Sequence, residues 1–233
     1  MINNKNKRKK SVIKEIKKIK KLRKKMEKRV KFIIIGDKTV GKSCIINQFI
    51  EKQFVNEYIP TIGSDKIKKE IEIKGEKLNL EIWDTVGQEQ YRTVNKIFIK
   101  NAQIALIVYD ITNKDSFNNL NFWLQEIIDI NRKKVICCVL SNKTDLYENQ
   151  VVDSEEGKNF ADEKKISFFE TSAKDYESIE KVFIEICEDY LVQKKRKEKK
   201  DKEKIKKKEA DEIEGNDNIP DRGDESNSNC KII

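Results

Sequence analysis

A chain of 233 residues holds one folded domain with a full core, and its charged ends leave no room for a second of ordinary size. Residues 1–31 carry 16 basic and 2 acidic side chains, residues 32–193 carry 21 and 28, and residues 194–233 carry 13 and 11, so the net charge of +9 resides in the flanks. Five cysteines without disulfide or zinc spacing favour a reduced compartment over a secreted framework, no run approaches the ~18 apolar residues of a membrane span, and the absence of histidine removes the commonest general base.

Residues 1–29 are expected to form a basic extension. Val12, Ile16, Ile19, Met26 and Val30 recur near helical spacing among lysines. An amphipathic helix on a membrane, a solvated arm and a nucleic-acid contact all fit that pattern, as does a genome rich in Lys, Asn and Ile. Met26 is a second candidate start, and nothing in residues 1–31 has the apolar stretch of a secretory signal.

Residues 30–193 are read as the folded domain. The apolar run Val30 to Ile35 predicts a strand, and Gly36-Asp37-Lys38-Thr39-Val40-Gly41-Lys42-Ser43 follows it directly, ahead of a helix over Cys44 to Ile50. This is G-x-x-x-x-G-K-[ST] in the context its mechanism needs. Glycines let backbone N–H groups curl around phosphate, Lys42 reaches the β and γ phosphates, and Ser43 offers a hydroxyl to magnesium. Of the eight glycines in the chain, four (Gly36, Gly41, Gly63, Gly87) fall in such motifs, so glycine is concentrated at phosphates.

Thr61, in Tyr58-Ile59-Pro60-Thr61-Ile62-Gly63, lies where a loop can fold over the γ phosphate and add a second hydroxyl to the metal. Ile67, Ile71 and Ile73 then alternate with charges, pause at Lys74-Gly75-Glu76 and resume at Leu78, Leu80 and Ile82, which reads as a hairpin with one antiparallel edge strand. Its second strand delivers Trp83-Asp84-Thr85-Val86-Gly87-Gln88-Glu89. Asp84 is placed to hold magnesium, Gly87 to offer its N–H to the γ phosphate, and Gln88 to orient the attacking water.

Ile104 to Tyr109 and Val135 to Leu140 are unbroken apolar runs, each followed by an amphipathic stretch, and the short run Ile166 to Phe169 is followed by the amphipathic stretch Ile179 to Leu191. Strands without polar alternation are buried on both faces, so the fold class is α/β, a doubly wound, mostly parallel sheet. After the strand Val135 to Leu140, Asn142-Lys143-Thr144-Asp145 sets a carboxylate where it accepts from N1 and N2 of guanine; adenine has no such donor pair. Lys143 lays its stem on the base, and Thr171-Ser172-Ala173-Lys174 presents the Ala173 N–H to the guanine oxygen. Residues 194–208 are basic and can prolong the last helix, and 209–229, acidic and broken by Gly215, Pro220 and Gly223, read as a linker.

Over about residues 29–192 these motifs resemble the Ras superfamily and, within it, the Rab branch of small GTPases. The wording that carries the likeness is Gly41-Lys42-Ser43-Cys44, Thr61-Ile62-Gly63, Trp83-Asp84-Thr85 with Gly87-Gln88-Glu89, Tyr91-Arg92-Thr93, Val108-Tyr109-Asp110-Ile111-Thr112 and Trp123-Leu124. The resemblance implies a P-loop G domain with a six-stranded sheet and five helices, GTP or GDP with Mg2+ as ligands, and slow GTP hydrolysis in vesicle traffic. It extends the nucleotide site to Asp37, Lys38, Thr39, Val40 and Cys44, with Phe54 near the guanine edge, Tyr58 near the phosphates, and Asn142, Ser172 and Lys174 around the base. It implies a monomer on the cytosolic face of an endomembrane. Its partners would be exchange factors, GTPase-activating proteins, a dissociation inhibitor and effectors, with no nucleic acid.

Several positions depart from the Rab pattern. Ile62-Gly63-Ser64-Asp65-Lys66 puts a lysine where an aromatic of the effector surface is usual, Val86 replaces alanine, and Phe98-Ile99-Lys100-Asn101 replaces Tyr-Tyr-Arg-Gly. Lys38 is bulkier than the usual residue and hinders an incoming arginine, which leaves a nucleotide-locked adaptor as the alternative to a GTPase. The terminal Cys230-Lys231-Ile232-Ile233 resembles C-a-a-X, so Cys230 is either prenylated or part of a plain tail. One lipid chain, at about 0.8 kcal/mol per buried CH2, anchors only marginally, and basic residues 194–208 are the second signal within reach.

Overall fold

In the computed structural model the described residues are 29–54, 66–85, 92–132 and 135–214. Six strands, β1 (Arg29–Gly36), β2 (Lys66–Ile73), β3 (Glu76–Asp84), β4 (Ile104–Asp110), β5 (Ile136–Asn142) and β6 (Ser167–Glu170), form one sheet in the order β2-β3-β1-β4-β5-β6. Only the β2–β3 pair is antiparallel. The helices are α1 (Lys42–Glu51), α2 (Arg92–Ile99), α3 (Lys114–Asn118), α4 (Leu120–Asn131), α5 (Ser154–Lys164) and α6 (Tyr176–Glu214), with a 3-10 turn at Thr144–Asn149. Among the described residues that is six helical segments where five were expected. The extra one arises because α3 and α4 are separated by Asn119 alone, which keeps right-handed helical angles.

Burial explains the layering. Every residue of β4 is buried, as a central parallel strand covered on both faces requires. On one face Phe49 of α1 stacks on Phe183 of α6 with ring centroids 3.7 Å apart, and Phe183 also meets Phe32 of β1. On the other face Trp123, Leu124 and Ile127 of α4 close over Ile33, Ile35, Ala105 and Ile107. Edge strand β2 alternates instead, and only Ile73 is fully covered. Its turn, Lys74-Gly75, has both φ angles positive (50° and 77°), the twist a two-residue hairpin needs.

Strand order reverses about β1, whose neighbours β3 and β4 lie on opposite sides. The carboxyl ends of β1, β3, β4 and β5 therefore open on one crevice, the place where open α/β sheets take ligands.

The chain divides into two units, residues 1–190 and 191–233. In the second, helix α6 continues to Glu214. Residues 209–214, read from sequence as part of the linker, are thus helical: Glu-Ala-Asp-Glu-Ile-Glu is mostly strong helix formers, and its acidity misled the reading.

Candidate functional site

The phosphate loop leaves β1 at Gly36 (φ 151°) and enters α1 through Gly41 (φ 98°, ψ 21°). Both glycines are forced. A Cβ at Gly36 would collide with the carbonyl oxygen of Val108, and one at Gly41 with the amide nitrogen of Asn142. Thr39 is also left-handed (φ 64°), a conformation that costs a non-glycine residue and that the sequence did not reveal. Helix α1 starts with no side-chain cap and no acid in its first turn, so its leading N–H groups and positive end face the loop.

Lys42 is nearly buried, and its ammonium sits inside the loop, donating to the carbonyls of Gly36 (3.0 Å) and Asp37 (2.6 Å). Burial pushes its pKa down to about 8, against the opposing pull of Asp84 and Asp37. Lys38 and Thr39 are exposed at the loop's tip, Val40 is buried beneath it, and Cys44 is half-buried, its thiol pushed up chiefly by desolvation.

Ser43 at the start of α1 and Asp84 at the end of β3 meet at 2.5 Å, the hydroxyl donating to the carboxylate. The hydroxyl of Thr85 ties the same strand end to the Ile34 carbonyl at 2.6 Å. A hydroxyl and a carboxylate converging beside a phosphate loop are the hard oxygen donors magnesium takes, with phosphate oxygens completing the set. Among the described residues no cluster of three His, Cys, Asp or Glu is present.

The base-reading side is built at the ends of β5 and β6. Asn142 is fully buried; its amide donates to the Val40 carbonyl (2.8 Å), and its oxygen accepts from the Ala173 N–H (3.1 Å). The Ala173 N–H, expected to face guanine, is thus turned onto Asn142. Lys143 takes a left-handed backbone (φ 66°), and its ammonium lies 2.6 Å from Asp110 at the end of β4. Asp145 accepts from the Ser172 hydroxyl (2.6 Å) and pairs with Lys174 (2.7 Å). Desolvation pushes the Asp145 carboxyl up, but hydrogen bonds from Lys174 and Ser172 and the Lys174 charge outweigh it and hold it below the usual carboxylate range. The Lys174 ammonium also lies 5.6 Å from the ring centre of Phe54, which brings that exposed aromatic to the same corner.

The structure thus brings together Lys42, Ser43 and Asp84 on one side of the crevice and Asn142, Lys143, Asp145, Ser172, Ala173, Lys174 and Phe54 on the other. Tyr58, Thr61, Gly87, Gln88 and Cys230 lie outside the described residues. Four supporting residues escaped the sequence reading. Asp110 holds Lys143 while accepting from the N–H and hydroxyl of Thr112 (both 2.8 Å), and its signal was a carboxylate in Asp110-Ile111-Thr112 at a strand's end. Asn119 and Trp123 grip Asp37, and Gln48 of α1 reaches the Lys174 carbonyl at 3.4 Å; Trp123 stood in the Trp123-Leu124 wording without a role, and the other two had no local signal.

Lys66, the departure from the Rab effector surface, pairs with Glu81 at 3.0 Å and sets its ammonium 5.4 Å from the Trp83 ring centre. Lys31 approaches the same ring at 5.0 Å. Two ammonium groups thus flank this one indole.

A phosphate loop at the switch point of a doubly wound sheet, with a buried asparagine and a poised carboxylate across the crevice, defines a guanine-nucleotide-binding P-loop protein. The Ras family model matches residues 31–192, and the chain belongs to the Ras family. It is 44% identical over 154 residues to Ras-related protein RIC1 of Oryza sativa subsp. japonica, covering 66% of this chain and 76% of that one. It is 41% identical over 160 residues to Ras-related protein Rab-1C of Dictyostelium discoideum (69% and 80%), and 42% identical over 154 residues to GTP-binding protein ypt1 of Schizosaccharomyces pombe (66% and 76%). The chain is a Rab-like small GTPase that binds GTP and GDP with Mg2+ and hydrolyses GTP.

Proposed function

We propose that this GTPase is a membrane-associated switch in intracellular vesicle traffic, with residues 30–193 as its G domain, 1–29 as a basic extension and 194–233 as a charged tail carrying lipid on Cys230. One observation supports the nucleotide reading above the rest: Lys42, Ser43 and Asp84 converge at the mouth of β1 while Asp145 stands charged across the crevice. Lys42 neutralises the β and γ phosphates. Ser43, Thr61 and Asp84 hold the magnesium ion, which neutralises charge on the phosphate oxygens when bound. Gly87 donates its N–H to the γ phosphate, and Gln88 orients the water. Loss of that phosphate removes the shared tie of the Thr61 and Gln88 loops, which is the switch.

Asp145 selects guanine because adenine would leave its carboxylate without donors. Phe54, Lys143 and the Ser172–Lys174 segment shape the base pocket, and Tyr58 closes the phosphate side. Lys38 at the loop tip keeps hydrolysis slow by crowding an incoming arginine. Exchange factors, GTPase-activating proteins, a dissociation inhibitor and effectors are the partner classes, and the cytosolic face of an endomembrane is the location. The Rab and Ypt1 names of the relatives support this reading. Single-turnover phosphate release from γ-labelled GTP tests it: wild type releases phosphate faster than Gln88→Leu, and equal slow release by both removes hydrolysis through Gln88.

A further inference from the structure

Asp37 is an acid inside a phosphate loop, where a carboxylate aimed inward would repel its ligand. Its carboxylate is aimed outward instead. One oxygen accepts the indole N–H of Trp123 at 2.7 Å, and the other accepts the side-chain amide of Asn119 at 2.7 Å. These donors stand at the start of α4, 82 and 86 residues away in sequence. The main chain of the same residue does a different task, since its carbonyl accepts the Lys42 ammonium at 2.6 Å. Trp123 is almost fully buried, so its N–H has a fixed direction and a large cost if left unpaired.

The far end of α4 is tied as well. The Asn131 amide donates to the carbonyl of Ile99 at 2.9 Å, the last residue of α2, the helix that follows the segment holding Gln88. One rigid helix therefore connects the phosphate loop to α2.

We propose that Asp37 is a positioning residue: its two-oxygen grip on Asn119 and Trp123 lets α4 set the phosphate loop and, through the Asp37 carbonyl, the Lys42 ammonium. This rests on the phosphate-loop reading given above. The grip makes no ligand contact and acts through Lys42 on the phosphates beyond the first, so its loss weakens diphosphate binding more than monophosphate binding. A residue that merely staples the fold would weaken both alike.

The test uses the full chain with Mg2+, and measures GDP and GMP affinities, GDP dissociation and the phosphorus resonance of the bound β phosphate. Asp37→Asn turns one acceptor into a donor facing a donor. It is expected to speed GDP release about tenfold, to shrink the GDP-over-GMP preference by a similar factor, and to shift the β-phosphate resonance. Trp123→Phe keeps the ring and removes only the N–H; it should show the same pattern more weakly, which covers the case in which the first variant folds poorly. Adding Asn119→Asp to Asp37→Asn restores donor-to-acceptor pairing with the roles exchanged, and should bring release back to within about twofold of wild type. An unchanged GDP-over-GMP ratio and β-phosphate resonance in both single variants overturns the proposal, and so does a double variant no better than Asp37→Asn. Wild-type protein that binds no GDP overturns the phosphate-loop reading itself, a different failure from that of the grip.

Discussion

The side-chain amide of Asn142, at the end of β5, donates to the main-chain carbonyl of Val40 in the phosphate loop at 2.8 Å. Its oxygen simultaneously accepts from Ala173, so one fully buried side chain fastens the phosphate loop, the strand that carries Asp145 and the loop after β6. Truncation to alanine strands two buried backbone groups, at ~1–3 kcal/mol each. Asn142→Ala is therefore expected to weaken GDP and GTP equally, by about tenfold or more, and to lower the melting temperature even without nucleotide. Calorimetry with both nucleotides and a thermal melt of the nucleotide-free protein check this; a loss confined to one nucleotide contradicts it.

Asp145 gives a pH-dependent prediction. Its folded carboxyl is held below the ordinary range, with Lys174 and Ser172 overcoming desolvation. A depressed carboxyl contributes stability that is complete above its unfolded value, near pH ~3.9, and is lost as pH falls through the folded value. Lys174→Met removes the cation and raises the folded value. Wild type should therefore lose stability between roughly pH 5 and 3 that the variant already lacks: the variant's urea midpoint lies slightly below wild type near neutrality, by little because Lys174 is half-exposed, and the two curves converge as the pH falls. Parallel curves over the whole range would show that Lys174 does not hold the carboxyl down.

Backbone path and side-chain direction were unequally legible in the sequence. The strands could be read because a parallel strand is buried on both faces, so Ile104 to Tyr109 leaves no polar alternation to misread. The phosphate loop could be read because Gly36 and Gly41 occupy places where a Cβ meets another chain segment. What could not be read is where polar tips go. Asp37 and Asn142 fall in motif positions assigned to nucleotide, yet their side chains are taken by Trp123, Asn119, Val40 and Ala173, partners whose nearness only the folded sheet creates. Lys69 makes the same point on β2. It occupies the inward register between Ile67 and Ile71, and its ammonium reaches the Phe49 carbonyl, 4.0 Å above that residue's ring centre, where burial lowers its pKa. A pattern of apolar letters does not register a lysine that covers its own alternation.

Helix ends give a stability prediction that runs against composition. Arg132 after α4 and Lys165 after α5 hold left-handed backbones (φ 52°, ψ 49° and φ 58°, ψ 46°), positions where glycine is usual. A left-handed conformation costs a residue with Cβ ~1–2 kcal/mol, of which the greater unfolded freedom of glycine returns ~0.5–1. Both side chains are exposed. Arg132→Gly and Lys165→Gly should each raise stability by about 0.5–1 kcal/mol, additively because the sites are separate. Urea unfolding of the two single variants and the double variant measures this, and a fall in either midpoint refutes it.

The opposite holds about two turns earlier in α5. Gly157 sits inside the helix, where alanine would ordinarily gain about 1 kcal/mol. A Cβ there would collide with the hydroxyl of Tyr109 and come within 2.7 Å of the Phe168 ring. Tyr109 is completely buried, with desolvation pushing its phenol up to about 12, so it has no vacant space or solvent to retreat into. Overpacking of this kind costs ~1–3 kcal/mol, more than the propensity gain. Gly157→Ala is therefore expected to destabilise the domain by about 1–2 kcal/mol, and Tyr109→Phe, which removes the clashing oxygen, to recover part of that loss. The double-mutant cycle reads the recovery directly: a positive coupling of the two substitutions supports the contact, whereas strict additivity places the cost of Gly157→Ala in Phe168 alone.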